Sequence, residues 1–200
     1  MKWTALVPLK PPGERKTRLA RLLSADARDR LSQVMFAHVT SLLARQPRIG
    51  RVVALTSERP PGWTGALIAD RGRGLNAELA AARAALGVAP LLILHSDLPL
   101  LQNQDIAALL TAAPAVAPDR HGTGTNALAL PPNQPLRFRF GSNSFRRHCT
   151  ELPEARIVRR PGLGLDLDTE EDLSRAIAAG FDEERGFLMK DQRSRFLTGA

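Results

Sequence analysis

The chain has 200 residues, of which 44% are hydrophobic and 24% charged, and its formal net charge is +8 at pH 7. This size suits one well-cored domain, and the composition is that of a globular protein, which excludes a disordered or fibrous chain. The basic surplus favours polyanionic partners such as nucleotides, phosphorylated metabolites or nucleic acids. Aromatic residues make up only 4% of the chain and tyrosine is absent, which argues against a stacking surface for single-stranded nucleic acid.

Cysteine content and hydropathy bear on the cellular compartment. A single cysteine, Cys149, rules out an intramolecular disulfide and a multi-cysteine metal site. Pro8 and Lys10 interrupt the apolar run that starts at Trp3, so this run is too short for a signal peptide. No later stretch reaches the roughly 18 apolar residues of a membrane helix. We therefore expect a cytoplasmic protein with no membrane partner.

Short apolar runs alternate with helical patterns along the chain. Strands are predicted at 3–9, 51–56, 66–69, 90–95, 116–118, 127–130 and 156–159, and helices at 24–45, 77–86, from 103, after 145 and at 169–180. Ser24 is a predicted N-cap, and Thr169 with Asp172 forms a variant capping box. The alternation predicts an α/β fold with a mainly parallel sheet and helices on both faces. We assign residues 1–180 to one domain and 181–200 to a C-terminal helix or tail.

Three carboxylates follow predicted strands. Asp97 lies just after the most apolar strand, and Asp166 and Asp168 are two residues apart, so both point to one side if their segment is extended. Ligands of open parallel sheets lie beyond the carboxyl ends of the strands. A group of carboxylates there would suit Mg²⁺, which prefers oxygen ligands. The alternative roles are local: Asp97 would close a turn with Pro99, and Asp168 would cap a helix.

A basic loop over residues 10–18 follows the first strand. Its four cations, which could neutralise a triphosphate and its leaving pyrophosphate, are Lys10, Arg15, Lys16 and Arg18. The loop lacks the spacing of a Walker motif. A solvated surface loop is the alternative interpretation.

Two later segments could bind anions. Residues 121–126 have the sequence His-Gly-Thr-Gly-Thr-Asn, whose backbone N–H groups and hydroxyls can surround an anion, although a plain hairpin turn is the alternative. Residues 140–144, Phe-Gly-Ser-Asn-Ser, precede a predicted helix whose N-terminus would attract a phosphate or carboxylate. Two such segments indicate a small anionic second substrate. His121 is assigned no catalytic role.

Taken together, these segments resemble the 2-phospholactate guanylyltransferase family, which makes the guanylated precursor of coenzyme F-420. The matching segments, in family order, are 7–10, 16–20, 74–76, 96–100, 117–126, 140–145 and 164–169. Ser96 departs from the family's usual glycine, and Pro11 to Gly13 makes the basic loop unusual. Neither departure replaces a carboxylate or an anion-binding hydroxyl.

The resemblance implies a fold and an activity. The fold is a single-domain, three-layer nucleotidyltransferase variant of the Rossmann-like doubly wound sheet, mainly parallel but mixed. The activity is transfer of GMP from GTP to the phosphate of a small acid, with release of pyrophosphate. The acid is 2-phospholactate, phosphoenolpyruvate or 3-phosphoglycerate, and the sequence does not choose among them. The resemblance also favours a homodimer.

The resemblance implies site residues as well. Asp97, Asp166 and Asp168 match the aspartates that bind Mg²⁺. Thr125, Gly141 and Ser144 match the positions that hold the phosphorylated acid. The GTP side corresponds to Lys10, Lys16, Arg18, Gly74 and Asn76, and the three cations of that set would also assist catalysis.

Two other functions stay open at this stage. A nucleotidyltransferase could act on another acceptor, such as a sugar phosphate or a molybdenum cofactor precursor, although the paired segments around Thr125 and Ser144 suit a small acid. An RNA-binding module would use the basic N-terminal residues, and salt-dependent RNA binding would favour it. It leaves the spaced aspartates unexplained, so we expect no nucleic-acid partner.

Overall fold

A mixed β-sheet with helices on both faces forms the framework of the protein. The computed structural model describes residues 1–181. The elements in chain order are β1 (Trp3–Pro8), a short 3-10 helix (Thr17–Leu19), α1 (Ala25–Arg45), β2 (Ile49–Thr56), β3 (Ala66–Ala69), α2 (Leu75–Leu86), β4 (Leu91–Leu94), α3 (Asn103–Ala112), β5 (Ala115–Pro118), β6 (Thr125–Leu130), α4 (Ser144–Glu151), β7 (Arg156–Ile157), α5 (Pro161–Gly164) and α6 (Glu170–Ala178). Of the predicted C-terminal tail, residues 182–200 lie outside the described part.

The seven strands follow the order β3-β2-β1-β4-β6-β5-β7. Strand β6 pairs antiparallel with both β4 and β5, and the other neighbouring strands are parallel. The reversal has a simple cause, because the six residues between β5 and β6 can close a hairpin but are too few for a parallel crossover. The predicted α/β fold with a mainly parallel mixed sheet is therefore confirmed.

Side chains alternate between the two faces of the central strands. In β1, Ala5 and Val7 pack on the side of α1 and α3 with residues such as Phe36. Leu6 points to the opposite side, where it packs in one cluster with Leu79 of α2. Strand β4 is buried at all of its positions, which is expected for a central strand covered on both faces. The result is three layers.

Both predicted helix caps are present. The Ser24 side chain accepts a hydrogen bond from the Ala27 N–H and caps α1. Thr169 caps α6 through the Asp172 N–H, and the Asp172 carboxylate accepts the Thr169 N–H in return. These side chains satisfy backbone donors that the first turn of a helix leaves without partners.

One local prediction was wrong. Thr125 and Asn126 belong to β6 and not to the preceding loop, since their backbones continue the ladder opposite β5 and β4. Residues 161–164, for which no element was predicted, form the short helix α5; Pro161 at its start has the backbone angle that a helix needs. Among residues 1–181, we find no helix both long and apolar enough to span a bilayer.

Candidate active site

A cavity of about 640 Å³ lies beyond the carboxyl ends of β1 and β4. It is lined by residues 8–10 after β1, by His95 to Asp97 after β4, and by the start of β6. The predicted site residues among its lining are Lys10, Lys16, Gly74, Asp97, Thr125, Gly141, Ser144, Asp166 and Asp168. Residues from six separate stretches of the chain thus meet at one edge of the sheet, where α/β folds bind their ligands.

At the centre of this cavity a lysine joins two of the carboxylates. The Lys16 Nζ lies 2.6 Å from Asp97 Oδ2 and 2.9 Å from Asp168 Oδ1. Only 7% of the Lys16 side chain is exposed. The backbone of Lys16 has a positive φ of 49° and precedes the 3-10 helix, a conformation uncommon for a residue with a side chain. The loop therefore holds this ammonium group inward, against the carboxylates.

Backbone pairing brings Asp168 to Asp97. The Leu167 N–H donates to the Asp97 carbonyl oxygen at 3.0 Å, which ties the segment before α6 to the end of β4. Leu165 and Leu167 are buried, and Asp166 and Asp168 alternate with them toward the cavity. The Asp168 carboxylate takes no part in the cap of α6, because Thr169 and Asp172 form that cap. It is available for the site.

Asp166 is held by a neighbouring amide. Asn126 Nδ2 donates to Asp166 Oδ1 at 3.1 Å and to the Leu163 carbonyl oxygen at 2.9 Å. Burial, and then the negative charge of Asp97, raise the pKa of Asp166 above its usual value. A cation in the cavity would favour the ionised carboxylate and so counteract both of these effects on the pKa.

The Lys16 contacts change the pKa values of the pair. Burial works to lower the pKa of Lys16, but the carboxylates of Asp97 and Asp168 outweigh it and raise this pKa. Burial likewise works to raise the pKa of Asp97. The Lys16 ammonium, with a smaller contribution from His95, outweighs burial and holds this pKa below its usual range. Both groups are therefore charged near neutral pH, as an ion pair.

The chemistry of these donors suits a hard divalent cation. Within residues 1–181, Asp97 Oδ1 is buried and has no hydrogen-bond partner, while a lysine cation already bridges Asp97 and Asp168. In the same part of the chain, no three His, Cys, Asp or Glu side chains are grouped closely enough to hold a metal ion. Lys16 lies between two of the carboxylates, and Asn126 donates to the third. Carboxylate oxygens with room for water are the ligands that Mg²⁺ prefers.

Of the four loop cations, Arg15 was the one left out of the residues that the family resemblance assigned to the site. Arg15 is only 4% exposed and lines the cavity. Its Nε donates to the Lys10 carbonyl oxygen at 2.6 Å, and its Nη1 is buried with no partner among residues 1–181. The predicted Arg18 is 73% exposed and outside the cavity lining, with Nη1 3.8 Å from Asp168 Oδ2. The sequence alone does not show which of these loop cations face the cavity, because their burial depends on how the loop folds.

The predicted nucleotide side surrounds the start of α2. Gly74 lines the cavity with a φ of 89°, a conformation that favours glycine. Glu78 accepts hydrogen bonds from the N–H groups of Arg71 and Arg73 and from the Arg73 side chain. The Arg73 contacts lower the pKa of Glu78 to about 2. Asn76 is outside the lining, and its amide both donates to and accepts from the Phe140 backbone.

The predicted acid side is assembled differently from the expectation. The carboxylate and carbonyl of Asp119 accept the N–H groups of Thr123 and Gly122, so residues 121–124 form a hairpin turn in which these two N–H groups already have partners. Thr125, the first residue of β6, still lines the cavity. Opposite it, Gly141 has a φ of 109° and Ser144 begins α4.

Two cavity-side histidines were not predicted. His95 lines the cavity, and its Nε2 is buried with no hydrogen-bond partner in the described part of the chain. His148 is fully buried behind Thr125, with which it shares a hydrogen bond. The sequence held one signal for it, because His148 is four residues after Ser144 and such positions share a helix face. His121 is exposed and stays without an assigned role.

Comparisons with known proteins identify the family of the chain. Residues 3–192 match the family described as "Guanylyl transferase CofC like". The phosphoenolpyruvate guanylyltransferase of Salinispora arenicola is 32% identical over 198 residues, which cover 93% of this chain and 92% of that protein. The enzyme of the same name from Roseiflexus castenholzii is 37% identical over 182 residues, or 84% of this chain and 85% of that protein.

Solved structures share the fold. A protein from Desulfovibrio desulfuricans G20 described as a nucleotide-diphospho-sugar transferase superposes with a TM-score of 0.71 at 17% identity, covering 86% of this chain and 85% of that one. A nucleotidyl transferase from Methanothermobacter has a TM-score of 0.56 at 15% identity, with 87% and 95% covered. At such identities the likeness concerns the fold alone.

Proposed function

The chain belongs to the CofC-like guanylyl transferase family and is a nucleotidyltransferase, and from this premise we propose that it transfers GMP from GTP to the phosphate of a small phosphorylated acid. Pyrophosphate leaves, and the product serves coenzyme F-420 biosynthesis. The proposal includes the cytoplasmic location and the homodimer expected from the sequence.

One observation carries the proposal: the carboxylates of Asp97 and Asp168 meet around a buried cation between two different walls of one cavity. One wall is the basic loop with Lys10 and Arg15, which suits a triphosphate. The other wall has Thr125, Gly141 and Ser144, which suit a smaller anion. A site with cations on one side and hydroxyl and backbone donors on the other fits two phosphate-bearing substrates.

We propose that Asp97, Asp166 and Asp168 hold Mg²⁺. Two observations support this assignment: Asp97 Oδ1 is buried with no hydrogen-bond partner among the described residues, and a lysine cation already bridges Asp97 and Asp168. When bound, the metal would supply positive charge to the phosphate oxygens and help to orient them.

The residues of the chain act mainly by positioning and by charge. The acid's phosphate is ionised near neutral pH and attacks the α-phosphorus of GTP directly, so no side chain has to act as a nucleophile. Lys10, Arg15 and Lys16 neutralise the charge that develops on the leaving pyrophosphate. Arg18, exposed beside Asp168, is available to reach the same phosphates. The hydroxyls of Thr125 and Ser144 hold the acid.

The acid is the open part of this proposal. The relatives named phosphoenolpyruvate guanylyltransferase make phosphoenolpyruvate the first acid to test. The decisive assay incubates the protein with GTP, Mg²⁺ and one acid at a time, with 2-phospholactate, 3-phosphoglycerate and glucose 1-phosphate as the other arms. Mass spectrometry identifies the guanylated product, and pyrophosphate release gives the rate. A guanylated sugar with no guanylated acid would overturn the proposed acceptor class.

Variants of the carboxylates test the assigned residues. Asp97→Asn and Asp168→Asn should fold normally and lose at least about a hundredfold in pyrophosphate release, because each removes a charge that the metal requires. Asp26→Asn changes an exposed carboxylate in the first turn of α1 and should keep the full rate. Near-normal turnover in both site variants would refute the metal assignment.

A further inference from the structure

His148 is a fully buried titratable side chain to which the proposed reaction gives no part. It lies in α4, and its ring makes an edge-to-face contact with the Phe140 ring, with the two centroids 4.7 Å apart. Nδ1 lies 2.9 Å from Thr125 Oγ1, and Nε2 lies 3.0 Å from the backbone nitrogen of Arg139. Both ring nitrogens are thus in hydrogen bonds, one of them to a residue that lines the cavity.

These two contacts determine where the imidazole proton lies. The Arg139 N–H can only donate, so Nε2 must be the acceptor and carries no hydrogen. A neutral imidazole has one hydrogen, which must then be on Nδ1. Burial, with a smaller contribution from the charge of His95, lowers the pKa of His148 to about 4, so the ring is neutral at neutral pH.

The direction of the second hydrogen bond follows from the first. Because Nδ1 carries the hydrogen, it donates to Thr125 Oγ1, and the hydroxyl oxygen is the acceptor. The Thr125 hydrogen is then directed elsewhere, and within residues 1–181 the hydroxyl shows no other hydrogen bond. Thr125 lines the cavity on the side of Gly141 and Ser144. An acceptor for its hydrogen would come from a ligand there.

We propose that His148 is a positioning residue that makes the Thr125 hydroxyl a one-directional hydrogen-bond donor to an anionic oxygen of the acid substrate. The Arg139 N–H donates to His148, and His148 donates to Thr125. In this series of hydrogen bonds, each donor is directed toward the cavity. Such a hydroxyl accepts from the protein and donates to the ligand, so it favours a carboxylate or phosphate oxygen over a group that can only donate. The role in acid binding rests on the proposed function.

The tautomer can be measured without any substrate. Protein labelled with ¹⁵N-histidine is studied by NMR at neutral pH, and the His148 signals are identified by their loss in His148→Asn. We expect Nδ1 protonated and Nε2 unprotonated. The opposite tautomer, or a charged ring, would overturn the inference whatever the enzyme's substrate is.

Two substitutions at position 148 separate positioning from packing. The Asn side-chain amide can replace Nδ1–H as a donor to Thr125, and the Gln side chain reaches the Nε2 position, where its oxygen can accept the Arg139 N–H. We expect His148→Gln to raise the KM for the acid about five- to tenfold, the effect of one lost hydrogen bond, with the KM for GTP unchanged. His148→Asn should restore most of the acid affinity, even if its thermal stability is lower.

A double-mutant cycle with Thr125→Val completes the test. If His148 acts through the Thr125 hydroxyl, His148→Gln adds little to the acid KM once that hydroxyl is gone. Additive effects, or equal losses in His148→Gln and His148→Asn that follow their melting temperatures, would mean a structural role and overturn the inference. If no acid is guanylated by the wild-type chain, the proposed function fails and the acid-binding part of the inference fails with it, while the NMR result stands.

Discussion

At the scale of single residues, Lys16 has an unusual place for a lysine in a basic loop. Its ammonium donates hydrogen bonds to two carboxylates of the chain itself, and its backbone has a positive φ. Removing one partner from a buried ionic group leaves the others without compensation. The same ammonium would compete with a divalent cation for Asp97 and Asp168.

This competition gives a prediction for Lys16→Met. Without Mg²⁺ the variant should be less stable by about 1–3 kcal/mol, a reduced value because water screens the 42% exposed side chain of Asp168. Added Mg²⁺ should raise its melting temperature more than it raises that of the wild type, since no lysine has to leave the carboxylates. Differential scanning fluorimetry with and without Mg²⁺ measures both effects.

Lys2→Met is the matched control, because Lys2 is exposed at the start of β1. It should respond to Mg²⁺ as the wild type does. An equal Mg²⁺ response in Lys16→Met and Lys2→Met would show that Lys16 and the metal do not share ligands.

At the scale of elements, the loop before α2 is organised by a residue of the helix itself. Glu78 is 1% exposed and accepts two backbone N–H groups and the Arg73 side chain. Gly74, which lines the cavity, lies within the loop that these Glu78 contacts hold in place. Order in the loop therefore depends on a carboxylate that does not itself line the cavity.

Glu78→Gln should weaken GTP binding in particular. A neutral amide accepts more weakly from the Arg73 guanidinium and one of its atoms cannot accept at all, so the loop loosens. We expect the KM for GTP to rise about three- to tenfold, with the KM for the acid nearly unchanged. Steady-state kinetics with each substrate varied in turn makes the measurement.

Arg83→Gln controls for a weaker helix. Arg83 is at the other end of α2, where its Nη1 donates to the Ala89 carbonyl oxygen at 2.7 Å. It should lower stability without a selective effect on GTP. A selective rise in the GTP KM for Arg83→Gln as well would mean that α2, and not the Glu78 contacts, is responsible.

The elements also show which features the sequence could predict. The central strands had apolar runs, because strands covered on both faces need them, and Ser24 and Thr169 marked helix starts through local hydrogen bonds. The end of the hairpin before β6 was harder to predict, because Thr125 and Asn126 have the composition of a loop. They form a strand only because they pair with other strands of the sheet. Burial of Arg15 and His148 likewise depends on tertiary packing, which no local pattern encodes.

At the scale of the whole molecule, the site joins two parts of the sheet. The proposed nucleotide side follows β1 and β3, and the proposed acid side includes the start of β6, which lies beyond β4. Asn76 connects them, since its Nδ2 donates to the Phe140 carbonyl at 3.0 Å and its Oδ1 accepts the Phe140 N–H at 2.7 Å. Phe140 immediately precedes Gly141. This one amide therefore fixes the acid-side backbone to the first turn of α2.

Asn76→Ala should affect both substrates, because it removes both bonds and leaves two partly buried backbone groups of Phe140 without partners. We expect stability to fall by about 1–3 kcal/mol and the KM values for the acid and for GTP to rise together. Asn103→Ala, at the exposed first position of α3, should leave all three quantities close to wild type. Chemical denaturation and two-substrate kinetics give the comparison. If Asn76→Ala raises the KM for GTP alone, Asn76 acts as a nucleotide-side residue, as the sequence predicted, and the two walls of the cavity are positioned independently.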